Sequence, residues 1–274
     1  MPMASQRGMY YNGSCVGGIN MPVLKTSKIT KIYHGMEDDG STKALRGIDL
    51  SIEEGEFAGV MGPSGSGKTT LLNILSGLDR PTAGLVEIGG KQISSMGKDE
   101  LALFRRRKIG FVFQEFNLLD SLTIKENIAL PLVLDRREPG PIERKVRELM
   151  HLFDLTGIAD KYPCNTSGGQ QQRAAVGRAL ANDPAVVLAD EPTGNLDSKS
   201  AKTIMEYFEK VNERTKATIL MVTHDPFAAS YCKRVVFIKD GHVHMEIEKK
   251  GGRKEFFDAI LDCLAVLGGE RYDV

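Results

Sequence analysis

Residues 62–69 constrain this chain more than any other stretch. They read Gly-Pro-Ser-Gly-Ser-Gly-Lys-Thr and directly follow an apolar run at 56–61. A helical pattern comes next, with Leu71, Leu75 and Leu78 at i, i+4 and i+7. Glycines at these positions let successive backbone N–H groups and a helix N-terminus point at one anion. The stretch, placed between a strand and a helix, predicts a loop that cradles phosphate groups.

Single side chains in and after this loop are expected to have distinct roles. Lys68 is expected to reach the terminal phosphates of a nucleoside triphosphate, and Thr69 to ligate the accompanying Mg²⁺. Further along, the apolar run 185–189, typical of a strand buried on both faces, is followed by Asp190 and Glu191. Asp190 can hold Mg²⁺ or its water shell, and Glu191 is placed to act as general base for an attacking water.

A second glycine-rich turn, Ser167-Gly168-Gly169-Gln170, opens a predicted helix over 170–181. Its position at a helix N-terminus makes it a candidate anion site, with an ordinary loop as the alternative interpretation. A chain with one phosphate loop and one additional phosphate-binding turn can assemble head to tail. Two nucleotides would then be closed between two copies.

The order of strand and helix patterns predicts an α/β fold, mainly a parallel sheet flanked by helices. Residues 34–43 are predicted as a polar loop, and 235–239 with 242–247 as a hairpin. A main domain is predicted over 22–250, with an inserted helical subdomain at about 115–168 in which Pro141 opens a helix. Residues 1–21 are predicted as a disordered extension, with Met21 as a candidate start. Residues 251–274 are predicted to contain an amphipathic helix that packs on its own domain.

Composition excludes several other classes of protein. The 36 basic and 36 acidic residues cancel, which argues against a broad nucleic-acid footprint. The basic run 105–108 is therefore interpreted as a solvated helix end rather than a nucleic-acid patch. The four cysteines form no Cys-x-x-Cys pair, so free thiols are expected. A metal site at His242 and His244 is disfavoured because no third ligand is near in sequence. There is no signal-peptide pattern and no apolar run of the roughly 18 residues that a membrane span needs.

Taken in this order, the motifs resemble those of the nucleotide-binding subunit of ABC transporters, over about residues 23–247. The resemblance identifies 62–69 as Walker A, 186–190 as Walker B and 166–170 as the signature. Gln114, after Phe113, resembles the Q-loop glutamine, and 195–197 the D-loop. His224 resembles the switch histidine, and Tyr33 the aromatic residue that stacks on adenine.

This resemblance implies a P-loop NTPase (RecA-like) core with an N-terminal antiparallel β-subdomain and an inserted α-helical subdomain. It implies ATP and Mg²⁺ as cofactors. It places three residues at the metal, namely Thr69, Gln114 and Asp190. It gives catalytic roles to Glu191, His224, Lys68 and Gln114. The implied nucleotide-binding residues are Tyr33, Gly62, Pro63, Ser64, Gly65, Ser66, Gly67, Lys68, Thr69, Thr70, Ser167, Gly168, Gly169, Gln170 and Asp197.

Two positions depart from the family pattern. Thr166 stands in the signature where the family usually has Leu, which bears on the rate of hydrolysis. Gly194-Asn195 precedes the D-loop aspartate where Ser-Ala is common, which bears on communication between the two nucleotide sites.

Short segments suggest which branch of the family the chain resembles. Residues 109–119 and 122–128 resemble the macrolide-export and lipoprotein-release branch. Within it, 114–120 and the tail resemble the antimicrobial-peptide (bacitracin) resistance, BceA-like, type. That type implies a second copy of the chain and an integral membrane permease as partners, at the cytoplasmic face of the membrane. A sensor histidine kinase is a further candidate partner, and nucleic acid is not expected.

Three alternatives stay open at this point. The chain could serve a lipoprotein-release or macrolide-export system instead. It could be a regulatory ATPase in a permease–sensor kinase complex, since the same residues would serve both roles. An ABC ATPase acting on DNA or ribosomes is disfavoured, because the chain has one cassette and no long coiled-coil insertion.

Overall fold

The computed structural model describes residues 22–34 and 40–268 of the chain. The prediction of a disordered extension at 1–21 lies outside these residues, as do the last six positions of the predicted C-terminal segment. Among the described residues, no helix has both the length and the apolarity that a bilayer crossing requires.

The N-terminal part of the chain forms an antiparallel sheet. Its strands are β1 (Pro22–His34), β2 (Ser41–Glu53), a later strand Ala83–Ile88, called β4, and β5 (Lys91–Gln92), in the order β2-β1-β4-β5. The predicted loop at 34–43 is wrong at both ends, because β1 runs to His34 and β2 begins at Ser41. Register shifts in the β1–β2 pairing explain the weak alternation that hid these strand ends.

The main sheet carries the site. It consists of β3 (Phe57–Met61), β6 (Ile109–Val112), β7 (Val186–Asp190), β8 (Ile219–Val222), β9 (Arg234–Lys239) and β10 (His242–Glu248). Among the described residues the strand order is β10-β9-β3-β8-β7-β6. Neighbouring strands are parallel except for β9 and β10, which form an antiparallel hairpin. The predictions of a mainly parallel sheet and of this hairpin are confirmed. Strands β3 and β8 are buried throughout, as expected for a parallel sheet covered on both faces.

Helices cover both faces of this sheet and build the inserted lobe. They are α1 (Lys68–Leu75), α2 (Lys98–Lys108), α3 (Ile124–Leu134), α4 (Pro139–Leu152), α5 (Gly168–Leu180), α6 (Ser198–Thr215), α7 (Pro226–Ala229) and α8 (Arg253–Gly268). Helix α4 begins at Pro139 rather than at the predicted Pro141, because either proline fits a first turn that needs no N–H donor.

The inserted helices share their core with the sheet. Phe153 and Ile128 belong to the same buried cluster as Val187 of β7 and Phe208 of α6. A second cluster fills the space between the antiparallel sheet, α1 and the other face of the main sheet. The first cluster thus joins the inserted helices to the main sheet. The boundary of a separate subdomain at 115–168 stays a prediction.

Helix α8 packs on its own domain, as predicted. Phe256, Ile260 and Leu267 are buried on its inner side, and Leu264 is half-buried. Arg253 anchors its first turn through an ion pair with Glu209, at 2.8 Å.

Candidate functional site

The glycines of the phosphate loop are required by its backbone path. Gly62, Gly65 and Gly67 have φ values of 155°, 76° and 101°, in the region that favours glycine. A Cβ added at Gly67 would lie 2.6 Å from the carbonyl oxygen of Ala44. The loop therefore follows β3 as a tight turn pressed against β2, and α1 begins at Lys68 directly behind it.

The Lys68 side chain folds back onto the first residues of this loop. Its Nζ donates hydrogen bonds to the carbonyl oxygens of Gly62, at 2.8 Å, and Pro63, at 2.9 Å. Burial lowers the pKa of the Lys68 ammonium, while the negative charges of Glu191 and Asp190 act in the opposite direction. A half-desolvated cation at a loop of backbone donors is suited to bind the terminal oxygens of a polyphosphate.

Two carboxylates stand at the end of β7. Burial raises the pKa of Asp190, the neighbouring charge of Glu191 raises it further, and Lys68 lowers it in part. Glu191 has a left-handed backbone with φ of 44°, which is strained for a residue with a side chain. Its N–H donates to the carbonyl oxygen of Val222 at 2.9 Å, so the pairing with β8 holds this conformation.

The Glu191 carboxylate is hydrogen-bonded to the loop that follows β8. The backbone N–H of His224 donates to Oε1 at 3.1 Å, and the Thr223 hydroxyl donates to Oε2 at 3.2 Å. The imidazole Nδ1 of His224 lies 2.8 Å from Oε1. The rest of that ring is open, since the His224 side chain is 73% exposed.

Gln114 follows β6 on the other side of the site. Its Nε2 donates to the Asn195 side-chain oxygen, and the Asn195 amide donates back to the Gln114 carbonyl oxygen, both at 3.3 Å. Buried Gln172 of α5 donates to the carbonyl oxygens of Phe113, at 3.3 Å, and Pro192, at 2.7 Å. The segment after β6 is thereby joined to the segment after β7.

Lys68, Gln114, Glu191 and His224 face one cavity of about 1110 Å³, whereas the predicted metal ligand Asp190 does not line it. The predicted site residues that line it are Gly62, Pro63, Ser64, Gly65, Gly67, Lys68, Thr69, Thr70, Gln114, Glu191 and His224. Ser66 lies in the same loop but is buried beneath it.

Eight other residues complete the wall of this cavity, and sequence reasoning missed all of them. They come from β2, from the turn after β9 and from α8, and they are Thr42, Lys43, Ala44, Arg46, Asp240, Gly241, Leu264 and Leu267. The turn Asp240-Gly241 was recognised as a hairpin, but only the pairing of β9 beside β3 places it at the phosphate loop. No local signal in the sequence marks the others.

The Ser167 turn does not line this cavity. Ser167 and Gln170 form a reciprocal cap, in which each side chain accepts a hydrogen bond from the other residue's backbone N–H, at 3.3 and 2.9 Å. The turn packs against the start of α6, with an added Cβ at Gly169 3.1 Å from the Ser200 hydroxyl. Asp197 caps α6 and accepts from that hydroxyl at 2.7 Å, and hydrogen bonds from Ser200 lower the pKa of Asp197.

Tyr33 lies at the end of β1, beside α1. Its hydroxyl donates to Asp79 at 2.9 Å, and the Lys31 ammonium lies 4.8 Å from the ring centroid and 2.6 Å from the other Asp79 oxygen. Burial raises the pKa of the Tyr33 hydroxyl, and the bond to Asp79 adds to this effect. Tyr33 as a whole is 41% exposed, which leaves it accessible to a flat ligand that could stack on its ring.

A tight glycine loop before α1, a half-buried carboxylate at the end of a central strand and a neighbouring glutamate together define a P-loop ATPase. A profile of the ABC transporter family matches residues 45–194. The chain belongs to the ABC transporter ATP-binding family.

Relatives match most of the chain. The uncharacterized ABC transporter ATP-binding protein YvcR of Bacillus subtilis is 53% identical over 253 residues, which cover 92% of this chain and 98% of YvcR. The bacitracin export ATP-binding protein BceA of Halalkalibacterium halodurans is 45% identical, over 92% of this chain and all of BceA. A lipoprotein-releasing system ATP-binding protein, LolD 1 of Rhodopseudomonas palustris, is 44% identical over 81% of this chain and 98% of its own.

A solved structure shares the fold. The ATP-binding cassette MJ0796 of Methanocaldococcus jannaschii, described as a dimer in a post-hydrolysis state bound to ADP and Pi, is 43% identical. The match covers 83% of this chain and 99% of MJ0796, with a TM-score of 0.75. The antiparallel sheet, the P-loop core and the inserted helices are thus those of an ABC cassette, as the sequence predicted, and the chain is an ATPase.

Proposed function

We propose that this chain hydrolyses Mg-ATP between two copies of itself and thereby energises a membrane permease. One observation carries the proposal. Lys68, Gln114, Glu191 and His224 face a single cavity, whereas the Ser167 turn of the same chain does not. A second copy, placed head to tail, would supply the Ser167 turn that is missing on the open side of this cavity.

The site fits Mg²⁺ on its own chemistry. Burial raises the pKa of Asp190, and the adjacent Glu191 carboxylate raises it further, so a cation placed here would stabilise the ionised pair. Mg²⁺ is such a cation, and hydroxyl, amide and carboxylate oxygens are ligands it prefers. Thr69, Gln114 and Asp190 would hold the ion, which polarises the phosphates when bound.

The other side chains then divide the work between binding and hydrolysis. Lys68 would exchange its two loop carbonyls for phosphate oxygens, and the loop amides would hold the rest of the phosphate chain. Glu191 would orient and deprotonate the attacking water as general base. His224 would hold Glu191 through Nδ1 and present its exposed edge to the γ-phosphate. Tyr33 would stack on adenine.

Trapping the dimer tests this proposal directly. Glu191→Gln keeps the shape of the side chain but removes the base, so bound ATP should persist and hold two copies together. Size-exclusion chromatography with light scattering should show a dimer with Mg-ATP and a monomer without nucleotide. Adding Lys68→Ala to the Glu191→Gln chain is the matched control, and it should remove the dimer. A Glu191→Gln chain that stays monomeric under saturating Mg-ATP would contradict the shared site.

A groove of about 410 Å³ near Gln114 is the surface we assign to the permease. It lies between α2, the end of β6, α3 and α5, and Leu78 and Leu134, each 50% exposed, stand at its rim. Arg105, Arg106 and Arg178 also line it. An apolar groove rimmed by basic groups fits a short amphipathic helix with an acidic edge. Phe113 joins this groove to Gln114, so nucleotide state and docking would be coupled.

The transported molecule is proposed to be an antimicrobial peptide of the bacitracin type. The ATPase chain itself would work at the cytoplasmic face of the membrane. Support comes from the bacitracin export relative, which is matched along its whole length. The alternative is lipoprotein release, because the LolD relative is almost as similar over a shorter stretch.

Reconstitution with a candidate permease separates these functions. ATPase activity in proteoliposomes should rise with bacitracin and not with an acylated lipoprotein. The reverse result would favour the release function. A role limited to a sensor kinase complex predicts kinase activation by the peptide that persists with Glu191→Gln, whereas transport-coupled sensing predicts its loss.

A further inference from the structure

Gln172 is a polar side chain that the protein buries completely. It lies in the second turn of α5, its exposed fraction is 0%, and the nearby Ala174, Ala175 and Val176 are buried with it. Removing an amide from water costs free energy unless other hydrogen bonds replace those to water. The Gln172 Nε2 group donates two such bonds, whereas Oε1 has no hydrogen-bond partner among the residues that the structure describes. The interactions of this amide are therefore those of its donor half.

Both partners of the Gln172 amide are backbone carbonyls next to site residues. Nε2 donates to the carbonyl oxygen of Pro192 at 2.7 Å and to that of Phe113 at 3.3 Å. Pro192 directly follows Glu191, and Phe113 directly precedes Gln114. The amide must present its nitrogen to these oxygens, because the opposite orientation would set Oε1 against two other acceptors. One side chain therefore holds the backbone beside two of the residues that line the nucleotide cavity.

The bond to Pro192 acts on a strained turn. The backbone of Glu191 has a φ of 44°, and its carbonyl oxygen accepts a hydrogen bond from the Gly194 N–H at 3.0 Å, so the chain turns sharply here. Strain of this kind persists only where surrounding contacts hold it. Pro192 is buried inside the turn, and Gln172 binds its carbonyl oxygen. The bond therefore helps to keep the Glu191 backbone in the conformation that directs its carboxylate into the cavity.

The bond to Phe113 acts on the segment that carries Gln114. Further along the same helix, the Arg178 guanidinium donates to the carbonyl oxygens of Phe116, at 3.0 Å, and Asn117, at 2.5 Å. Phe116 and Asn117 both have left-handed backbones, with φ values of 60° and 48°. Helix α5 thus holds this segment on both sides of Gln114, and the contact nearest to the cavity is the one to Phe113.

We propose that Gln172 is a positioning residue for ATP hydrolysis, which fixes Gln114 and Glu191 relative to each other by holding the backbone beside each of them. The inference rests on the proposed roles of these two side chains, at Mg²⁺ and at the attacking water. Backbone pairing of β6 with β7 ends at Val112 and Ala189, before either residue is reached. The Gln172 amide continues the connection where the sheet no longer makes it. This precision matters, because a misplacement of about 1 Å can lower a rate by about 10²-fold.

A purely structural role is the competing explanation, and Asn212 of α6 provides the comparison. Its side chain is buried, with an exposed fraction of 2%, and it donates to the carbonyl oxygens of Gly55, at 2.9 Å, and Ala217, at 2.8 Å. These carbonyls precede the parallel strands β3 and β8, at the edge of the sheet opposite the site. Asn212 therefore shares the burial and the two carbonyl partners of Gln172 without bordering the cavity.

Replacing each amide by an apolar side chain of similar size separates the two explanations. Gln172→Met and Asn212→Leu each leave two backbone carbonyls without their amide donor, so both should lower the Tm by comparable amounts. Only Gln172→Met should lower kcat, by about tenfold or more, as expected for a residue that orients groups at a metal site. It should also raise the Mg²⁺ concentration needed for half-maximal activity. ATP affinity, measured with a fluorescent nucleotide, should be unchanged in both variants because the phosphate loop is intact.

Gln172→Glu adds a comparison within one variant. An ionised carboxylate would be a third acceptor facing two carbonyl oxygens, whereas a protonated carboxyl donates one hydrogen bond. Burial raises the pKa of a carboxyl, so kcat relative to the parent chain should rise as the pH is lowered from about 8 to about 6. Asn212→Asp is the matched control, and its kcat relative to the parent chain should not change with pH.

The outcomes distinguish this inference from the proposed function on which it rests. A loss of kcat in Gln172→Met no larger than that in Asn212→Leu, or a loss confined to ATP affinity, would overturn the positioning role. The proposed site would still stand if Glu191→Gln abolished hydrolysis, and it would fail together with the positioning role if Glu191→Gln hydrolysed ATP at the parent rate. Should Gln172→Met unfold below the assay temperature, a pH-independent kcat ratio for Gln172→Glu would overturn the positioning role instead.

Discussion

The Nδ1 atom of His224 lies 2.8 Å from the Glu191 carboxylate. Because Nδ1 faces this carboxylate, Nε2 is the ring nitrogen left to face a ligand in the cavity. In the proposed mechanism this pair would tie the general base Glu191 to the terminal phosphate, so loss of the imidazole should disturb the geometry of water attack.

His224→Ala should lower turnover by about 10²-fold or more, because a preorganised donor at the reacting phosphate is lost together with the support of Glu191. ATP affinity should change little, since the phosphate loop and Lys68 stay intact. A steady-state ATPase assay measures this. His244→Ala, on exposed β10, should leave activity as it is, and an equal loss there would argue for a general effect on the fold.

Lys68→Ala should weaken ATP binding by about 10- to 100-fold, the equivalent of a charge-assisted hydrogen bond of about 1.5–3 kcal/mol. Isothermal titration with Mg-ATP measures the affinity. Lys91→Ala, on exposed β5, serves as the control of equal charge change. Unaltered affinity in Lys68→Ala would mean that Lys68 keeps its bonds to the loop carbonyls in the bound state.

Asp190→Asn should raise the Tm of the nucleotide-free protein. Because the folded-state pKa of Asp190 lies above its ordinary value, the folded chain binds this proton more tightly than the unfolded chain does. Ionisation at neutral pH therefore costs stability, and a neutral side chain removes that cost. Thermal unfolding without nucleotide measures the Tm. In the same variant, ATP binding should no longer depend on Mg²⁺. A lowered Tm would contradict the argument that the ionised Asp190 carboxylate destabilises the folded chain.

Asp79→Ala should raise the KM for ATP by about three- to tenfold with kcat nearly unchanged. The Asp79 carboxylate accepts hydrogen bonds from the Tyr33 hydroxyl and the Lys31 ammonium. Burial raises the pKa of Asp79, but these hydrogen bonds outweigh burial and keep that pKa below its usual range. Freeing the Tyr33 ring removes binding energy that the ground state and transition state share. A change in kcat instead of KM would place the role of Asp79 in catalysis.

Gly194→Ala should lower ATPase activity several-fold at unchanged Tm. A Cβ at Gly194 would lie 2.9 Å from the Gln114 Nε2, so the flexible Gln114 side chain must move away from Asn195. Gly97→Ala is the matched control, because an added Cβ there meets nothing within 4 Å. Equal activities of the two variants would show that the Gln114–Asn195 pair does not position Gln114 for hydrolysis.

Local signals predicted the parts of this molecule that one segment encodes alone. The strand, glycine loop and helix around Lys68 are adjacent in the chain, so a single motif specified their geometry. The buried run before Asp190 and the hairpin of β9 and β10 were predicted for the same reason. The loop predicted at 34–43 failed because β1 and β2 extend through polar residues that pair by backbone hydrogen bonds, which composition does not reveal.

The sequence by itself determined the class of protein, an ATP-binding P-loop ATPase, and marked the acidic pair that we propose for hydrolysis. Only the tertiary structure decided which distant residues share the cavity. Strand order brings the β9–β10 turn beside β3, and packing of Phe256 and Ile260 carries Leu264 and Leu267 of α8 to the same wall. Such neighbours arise from burial of apolar surface over the whole chain, which no short motif records.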